Sequence, residues 1–191
     1  VEDFHVGMLV DCDIGPRTLA ESAFDDYAGR FTGAARATNG LFETVDVAYM
    51  YDGNSRDPVP GAFGLMFRNP SFSLHSMKSL QLYSADRPFE YGGAPTNDAE
   101  RFQDLSRTRS DANIREGFQA DYRFLATNGS FGTLWPGRTV HFEFVLAAGP
   151  GLEGLLETCA NVHQVWEGAY YDLDRDPFTG VNGRELSLIH I

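Results

Sequence analysis

Short stretches in which apolar and polar residues alternate dominate this chain. The clearest is residues 138–146, where the apolar Val140, Phe142, Phe144 and Leu146 alternate with the polar Thr139, His141 and Glu143. A period of two predicts a half-buried strand, with Val140, Phe142, Phe144 and Leu146 sharing its apolar face. Similar but less regular runs predict further strands at residues 4–10, 42–51, 62–67, 72–83 and 121–126.

Two segments have helical spacing instead. Between Gly151 and Trp166, apolar residues recur at offsets of three and four, which predicts an amphipathic helix over about 151–167. A shorter helix is predicted at about 97–105, because Asn97 can cap it with Glu100 three residues later. Its buried residues would be Ala99, Phe102 and Leu105. The polar stretch after it, residues 106–117, is expected to be an exposed, mobile loop.

The order of these elements predicts a mainly β fold. Short strands separated by turns are typical of sandwiches, and the 20 Gly and 9 Pro residues supply the turns. We therefore expect an antiparallel β-sandwich with one packed amphipathic helix and one short helix. At 191 residues, without repeats or a linker-like composition shift, residues 1–185 are expected to form a single domain, a fragment of a longer protein.

The last six residues differ in composition from the rest of the chain. Residues 186–191 contain two of the four Ile residues and resemble the translated end of a sequencing adapter. The rest of the chain, in contrast, has 14 Arg and only one Lys, Lys78. We expect residues 186–191 to be a non-native tail, the alternative being a genuine apolar strand.

The charge balance limits the classes of partner. Fifteen basic and 27 acidic residues give a net charge of −12, which argues against nucleic acid and anionic membrane surfaces as partners. No apolar run approaches the roughly 18 residues of a membrane-spanning helix, so no membrane insertion is expected. Two cysteines do not make a disulfide framework. Cys12 and Cys159 could form one bridge, or Cys159 could pack as a small apolar residue on its helix.

The densest group of candidate metal ligands lies near the carboxy end. Asp172, Asp174 and Asp176 alternate within five residues, and the oxygen-bearing Asn182 and Glu185 follow. Oxygen-rich turns of this kind suit Ca²⁺, although the spacing departs from an EF-hand because Pro177 takes the position that needs glycine. An Asp-rich surface turn is the alternative. Asp11 and Asp13, with Asp25 and Asp26 downstream, form a second, weaker motif of the same type.

No catalytic residue is assigned from the sequence. A nucleophile elbow is lacking, and the histidines are dispersed without a zinc-binding pair. Aromatic rings can stack on sugars, and Trp135, Tyr91 and Tyr170 are the candidate ligand-binding residues. Packing within the fold is the alternative role for these rings.

Several blocks of the sequence resemble a known group of proteins. Residues 121–125, 129–131 and 134–139, followed by a strand and an amphipathic helix, resemble a segment of uncharacterised secreted and cell-surface bacterial proteins. Further similar blocks are residues 47–52, 60–64, 93–98 and 176–181. The resemblance implies a β-rich extracellular module within a longer polypeptide.

Three functions follow as expectations. The first is a non-catalytic extracellular or cell-surface module, stabilised by Ca²⁺, that serves surface display or adhesion to other cell-surface domains. The second is a carbohydrate-binding module or accessory domain of a polysaccharide-active enzyme, with a glycan as its partner. The third is an enzyme whose active site the sequence does not identify.

Overall fold

Two antiparallel sheets packed face to face form the centre of the molecule. The computed structural model describes residues 1–15, 24–53, 61–68, 77–140 and 142–167. The strands are β1 (His5–Asp11), β2 (Asp26–Arg36), β3 (Phe42–Asp52), β4 (Gly61–Arg68), β5 (Ser79–Ser84), β6 (Tyr122–Gly129) and β7 (Glu143–Pro150). The helices are α1 (Asp98–Ser106) and α2 (Gly151–Glu167), with a 3₁₀ turn at Phe89–Tyr91. The predicted mainly β sandwich with a packed helix is confirmed.

The two sheets and the two helices form four layers. One sheet has three strands in the order β1-β6-β5, and the other has four in the order β2-β3-β4-β7. Helix α2 covers the outer face of the four-stranded sheet, and α1 lies against β1 and β6 on the three-stranded sheet. All neighbouring strands are antiparallel.

Two apolar cores lie between these layers. Met50, Leu65, Phe67, Leu80 and Phe124 are among the buried residues between the two sheets. The buried residues between the four-stranded sheet and α2 include Val45, Val47, Met66, Leu155 and Cys159. Because β3 and β4 are covered on both faces, these two central strands are apolar on both sides, as buried strands require.

Both cysteines are free, so the predicted apolar role of Cys159 is confirmed. The side chain of Cys159 is fully buried in the core beneath α2, while Cys12 lies at the edge of the core between the sheets. Helix α2 follows β7 without a linker, since Gly151 has a φ of 68° that turns the chain sharply. A side chain at Gly149 would overlap the backbone of Leu155, so glycine is required there for α2 to fold back onto the sheet.

The structure corrects the predicted strand at residues 138–146. The strand begins only at Glu143, and its buried residue is Ala147, with Val145 half-buried, on the face that packs under α2. Phe144 and Leu146, predicted to be buried, are 42% and 57% exposed. They lie on the side of the four-stranded sheet that faces the other sheet, but β7 is an edge strand, and the narrower three-stranded sheet leaves this stripe exposed.

Helix α1 has the predicted position but a different buried face. Asn97 caps it, and the Asn97 Oδ1 accepts a hydrogen bond from the Glu100 amide at 3.0 Å. Ala99 and Phe102 are exposed and Leu105 is half-buried, so the predicted apolar face is wrong. The buried residue is Asp104, which accepts a hydrogen bond from the Tyr83 hydroxyl at 2.6 Å and pairs with Arg107 at 3.0 Å. The helix is therefore held to the sheet by these polar contacts as well as by Leu105 and Phe102, which lie against Gly7 and His5 of β1.

Sequence reasoning missed β2 entirely. Its residues are mostly small, and Gly29, Gly33 and its alanines have little β propensity. Tertiary packing explains the glycine at position 29, because a Cβ there would overlap the side chains of Asn113 and Tyr49. Eleven residues of β2 pair with β3, so long-range pairing overrides the weak local preference.

Residues 107–121 close one side of the sandwich. The segment is exposed, as predicted, and it is hydrogen-bonded to both sheets. The Asp111 amide donates to the Leu80 carbonyl of β5 at 2.8 Å, and the Ile114 amide donates to the Ala28 carbonyl of β2 at 2.9 Å. We call this segment the lateral strap.

An ion pair joins the two sheets and the lateral strap. The Arg30 guanidinium of β2 binds both carboxylate oxygens of Asp46 in β3, at 2.7 and 2.8 Å. Asp46 also accepts from the Met77 amide, and Arg30 donates to the Met77 carbonyl, just before β5. Arg30 donates further to the Ser110 hydroxyl of the strap at 3.1 Å. Asp46 is only 7% exposed, so most of its hydrogen-bonding partners are protein groups.

The Arg30–Asp46 pair should be essential for stability. Removing one partner of a buried ion pair leaves the other uncompensated, and this costs about 3–5 kcal/mol. We expect Asp46→Ala to lower the free energy of unfolding by that amount in urea denaturation. The control is Asp98→Ala, which breaks the exposed Asp98–Arg101 pair and should cost less than about 1 kcal/mol. Equal effects of the two substitutions would contradict this role.

Candidate metal centre

Acidic residues from several elements converge at one end of the sandwich. The carboxy end of β1 pairs with the start of β6, and the start of β2 pairs with the end of β3. Each of these strand ends carries or adjoins an aspartate. The resulting group, which we call the acidic end, consists of Asp11, Asp13, Asp25, Asp26, Asp52, Asp86 and Asp121.

Three of these carboxylates lie close enough to share one cation. Asp11, Asp13 and Asp121 each offer an oxygen, and the three oxygens lie within 4.8 Å of one another. Asp11 and Asp13 are exposed and Asp121 is half-buried, so the group opens to solvent. Ca²⁺ binds oxygens at about 2.3–2.6 Å, which places opposite ligands about 4.8 Å apart. The spacing of the three oxygens is therefore compatible with a shared Ca²⁺ ion.

Arg123 contributes one positive charge beside this group. Its Nε donates to the Asp11 carboxylate at 2.7 Å. Three ionised carboxylates and this guanidinium leave a net charge of −2, which a divalent cation would balance. Burial, together with the charges of Asp11, Asp13 and Asp86, raises the pKa of Asp121, while Arg123 opposes the shift. Proton uptake and cation binding would both relieve this repulsion.

Asp26 lies in the interior, behind the exposed carboxylates. It is 1% exposed, and its Oδ2 accepts a long hydrogen bond, 3.4 Å, from the Ile14 amide. Burial raises the pKa of Asp26 to about 8; the charges of Asp25, Asp52 and Asp13 add to the effect, and the Ile14 amide opposes it. Asp26 is therefore mainly protonated at neutral pH.

The thiol of Cys12, between Asp11 and Asp13, does not favour a soft metal. Burial raises its pKa, and the charges of Asp26, Asp13 and Asp11 raise it further. Because thiols bind metals as thiolates, a protonated Cys12 is a poor ligand at neutral pH. The chemistry of the group is that of carboxylate oxygens, which suits a hard cation such as Ca²⁺.

The structure brings together only part of the predicted site. Asp11 and Asp13, the weaker of the two predicted motifs, join Asp121, which sequence reasoning did not assign. The stronger motif of Asp172, Asp174, Asp176, Asn182 and Glu185 lies outside the described residues, as does Tyr170. One feature of the sequence could have indicated Asp121 as a ligand. Asp121 begins the predicted strand 121–126, and the third residue of that strand, Arg123, can pair with an acid on a neighbouring strand.

The two described aromatic candidates are both exposed but far apart. Tyr91 is 72% exposed and Trp135 is 67% exposed, so neither packs within the fold. Tyr91 lies at the acidic end, because the adjacent Gly92 bonds to Ser84 at the end of β5. Trp135 follows Leu134, which bonds to Val1 at the opposite end of the three-stranded sheet. The length of β6, about 23 Å at 3.3 Å per residue, separates them.

Comparison with known proteins finds no match: no family model, no curated protein and no solved structure is similar to this chain. Within the described residues, neither helix has both the length and the apolar composition needed to cross a lipid bilayer.

The buried Asp26 should make stability depend on pH. Its pKa of about 8 in the folded protein exceeds the value of about 4 for an unfolded chain. Between these values the folded state holds a proton that the unfolded state releases, so stability falls as pH rises. With EDTA present, we expect the free energy of unfolding to fall by up to about 1.4 kcal/mol per pH unit between pH 5 and 7.

Asp26→Asn should remove most of this pH dependence, since asparagine is neutral throughout the range. Asp98→Asn, at a position whose side chain is 97% exposed, should leave it unchanged. Urea denaturation at pH 5, 6 and 7 measures both. The same slope in Asp26→Asn as in the parent protein would show that another group is responsible.

Proposed function

We propose that this protein is a non-catalytic extracellular or cell-surface module that Ca²⁺ stabilises at Asp11, Asp13 and Asp121, and that it serves surface display or adhesion. The observation that carries the proposal is the convergence of these three carboxylates within 4.8 Å of one another. They come from the end of β1, the segment after it and the residue before β6, so a bound ion would link three points of the chain.

The expected benefit of the ion is local. β1 is an edge strand, and among the described residues Arg123 is the cation that pairs with Asp11 at its carboxy end. A cation would remove the repulsion among the carboxylates and hold the end of β1 against β6. Ca²⁺ accepts irregular oxygen geometry and six to eight ligands, so water would complete the coordination of this open group.

An extracellular location fits the expected affinity. Calcium sites of extracellular modules bind at about 10⁻⁴ to 10⁻³ M, which suits a solvent-exposed group with three carboxylates. The acidic composition and the resemblance to secreted and cell-surface bacterial proteins support the same location. Surface display or adhesion is the role that this resemblance implies for a module of this kind.

Ca²⁺ should raise the melting temperature by a small, measurable amount. At 1 mM, an ion with this affinity adds about 0.4–1.4 kcal/mol to stability. For a chain of this size, that corresponds to a rise of about 1–6 °C between EDTA and 1 mM Ca²⁺. Mg²⁺ at the same concentration should give a smaller rise, because it demands shorter, octahedral coordination.

Paired substitutions separate the two acidic motifs. Asp13→Asn with Asp121→Asn should abolish the calcium-dependent rise, and Asp172→Asn with Asp174→Asn should leave it intact. Each pair removes the same formal charge, so bulk electrostatics is matched. A flat melting curve in the parent protein would refute the calcium proposal. Loss of the rise only in the second pair would move the site to Asp172 and Asp174.

Carbohydrate binding is the second candidate function, and the exposure of Tyr91 and Trp135 favours it. Since the two rings lie at opposite ends of the three-stranded sheet, each would have to bind sugar by itself. On a glycan array we therefore expect Trp135→Ala and Tyr91→Ala to remove different signals if either ring is a binding platform. An array without saturable binding would dismiss this candidate and leave the calcium proposal unaffected.

A further inference from the structure

Among the described residues, partners are found for only the first part of the outer edge of β2. The lateral strap supplies hydrogen-bond partners for the backbone of the first part of this edge. The Ile114 amide donates to the carbonyl of Ala28. The Asn113 side chain bonds to both the amide and the carbonyl of Arg30, at 2.8 and 3.0 Å. In an antiparallel strand, alternate residues direct their backbone groups to the same edge. The backbone amides and carbonyls of Thr32 and Ala34 therefore face the same outer edge as those of Ala28 and Arg30. Within the described residues, these groups of Thr32 and Ala34 have no hydrogen-bond partner.

A groove of about 500 Å³ adjoins this free part of the edge. It lies between the second half of β2 and helix α2, and we call it the β2–α2 groove. Phe31, Ala35 and Leu156 give it an apolar surface, and Thr32 and Ala34 are exposed beside it. An extended segment lying along the edge would thus have backbone partners on one side and a side-chain pocket next to them.

The charges of the groove favour a basic ligand. Glu153 and Glu157 line it one helical turn apart on α2, where like charges repel each other. Glu157 accepts a hydrogen bond from the Thr38 hydroxyl at 2.9 Å, and neither carboxylate has an ion-pair partner in the part of the chain that the structure describes. Arg36 also lines the groove, but its guanidinium lies beside Gly40 in the β2–β3 turn.

We propose that the β2–α2 groove docks an extended, basic peptide segment of a partner protein. The segment adds a strand to β2 by hydrogen bonds to the backbone of Thr32 and Ala34, and it places a Lys or Arg side chain against Glu153 and Glu157. Alternate apolar side chains of the segment contact Phe31 and Leu156. Backbone pairing supplies affinity and the side-chain pocket supplies specificity, as in other cases of strand addition.

This docking surface is separate from the calcium site. β2 begins at the acidic end with Asp26 and reaches Thr32 and Ala34 six and eight residues later, about 20–26 Å away at 3.3 Å per residue. The proposal therefore does not depend on cation binding, and EDTA should leave peptide binding unchanged.

A panel of nine-residue peptides, measured by fluorescence anisotropy with the full chain, tests the proposal. The peptides alternate Lys with Val or Tyr, and matched peptides carry Glu in place of Lys. We expect saturable binding of the basic peptides and at least tenfold weaker binding of the acidic ones. Absence of saturable binding by every basic peptide at millimolar protein would overturn the proposal.

N-methylation of the peptide backbone tests strand addition while leaving the protein unchanged. A strand presents the amides of alternate residues to one edge, so methylation of one alternate set should abolish binding and methylation of the other set should not. Equal tolerance of both sets would show that the peptide does not pair with β2. Equal loss of binding with both sets would show that the effect does not depend on which amides face β2, and this also contradicts strand pairing.

Charge specificity needs a matched pair of variants. Glu153→Gln with Glu157→Gln should weaken binding of the basic peptide at least tenfold. Glu90→Gln with Glu116→Gln removes the same charge from exposed positions elsewhere and should change binding less than twofold. Equal weakening by the two pairs would assign the binding to the bulk negative charge of the protein and overturn the groove as its site.

Discussion

The Arg30–Asp46 ion pair is the constraint on which the arrangement of the two sheets depends. Its bidentate geometry joins β2 to β3, and its remaining hydrogen bonds reach Met77 before β5 and Ser110 in the lateral strap. The apolar core between the sheets supplies most of the driving force for folding, but burial alone does not set how two sheets slide over each other. A largely buried ion pair with fixed partners sets the relative position of the two sheets, because any displacement would leave charged groups without hydrogen bonds.

This arrangement determines where charge accumulates. Once the sheets are aligned, the ends of β1 and β3 and the starts of β2 and β6 meet at one end, and the aspartates near them come together. The exposed carboxylates there can share a cation, whereas the interior Asp26 instead keeps its proton. The same electrostatic repulsion thus has two different outcomes, and the difference is access to solvent and to ions.

β2 connects the two proposed surfaces. It starts at the acidic end, passes beneath the strap, and leaves its last residues beside the β2–α2 groove. Its low β propensity is consistent with this position, because small residues such as Gly29 permit the close approach of Asn113 and Tyr49. A free, partly covered edge strand is a hazard for self-association in many proteins. Within the part of the chain that the structure describes, the strap covers the first part of the β2 edge, and the short remaining length suits recognition of a short segment.

The sequence by itself determined the class of the fold, both helices and six of the seven strands, four of them to within three residues at each end. It could do so because alternation and helical spacing are local properties of the chain. It also identified Asp11 and Asp13 as candidate ligands, although as the weaker motif. Only the tertiary structure decided which face of β7 is buried, that β2 is a strand, and that Asp121 joins Asp11 and Asp13. Each of these depends on contacts between residues far apart in sequence. The apolar face of β7 is exposed because the opposing sheet is too narrow to cover it, and the carboxylates converge because two sheets end at the same place; no local pattern contains either fact.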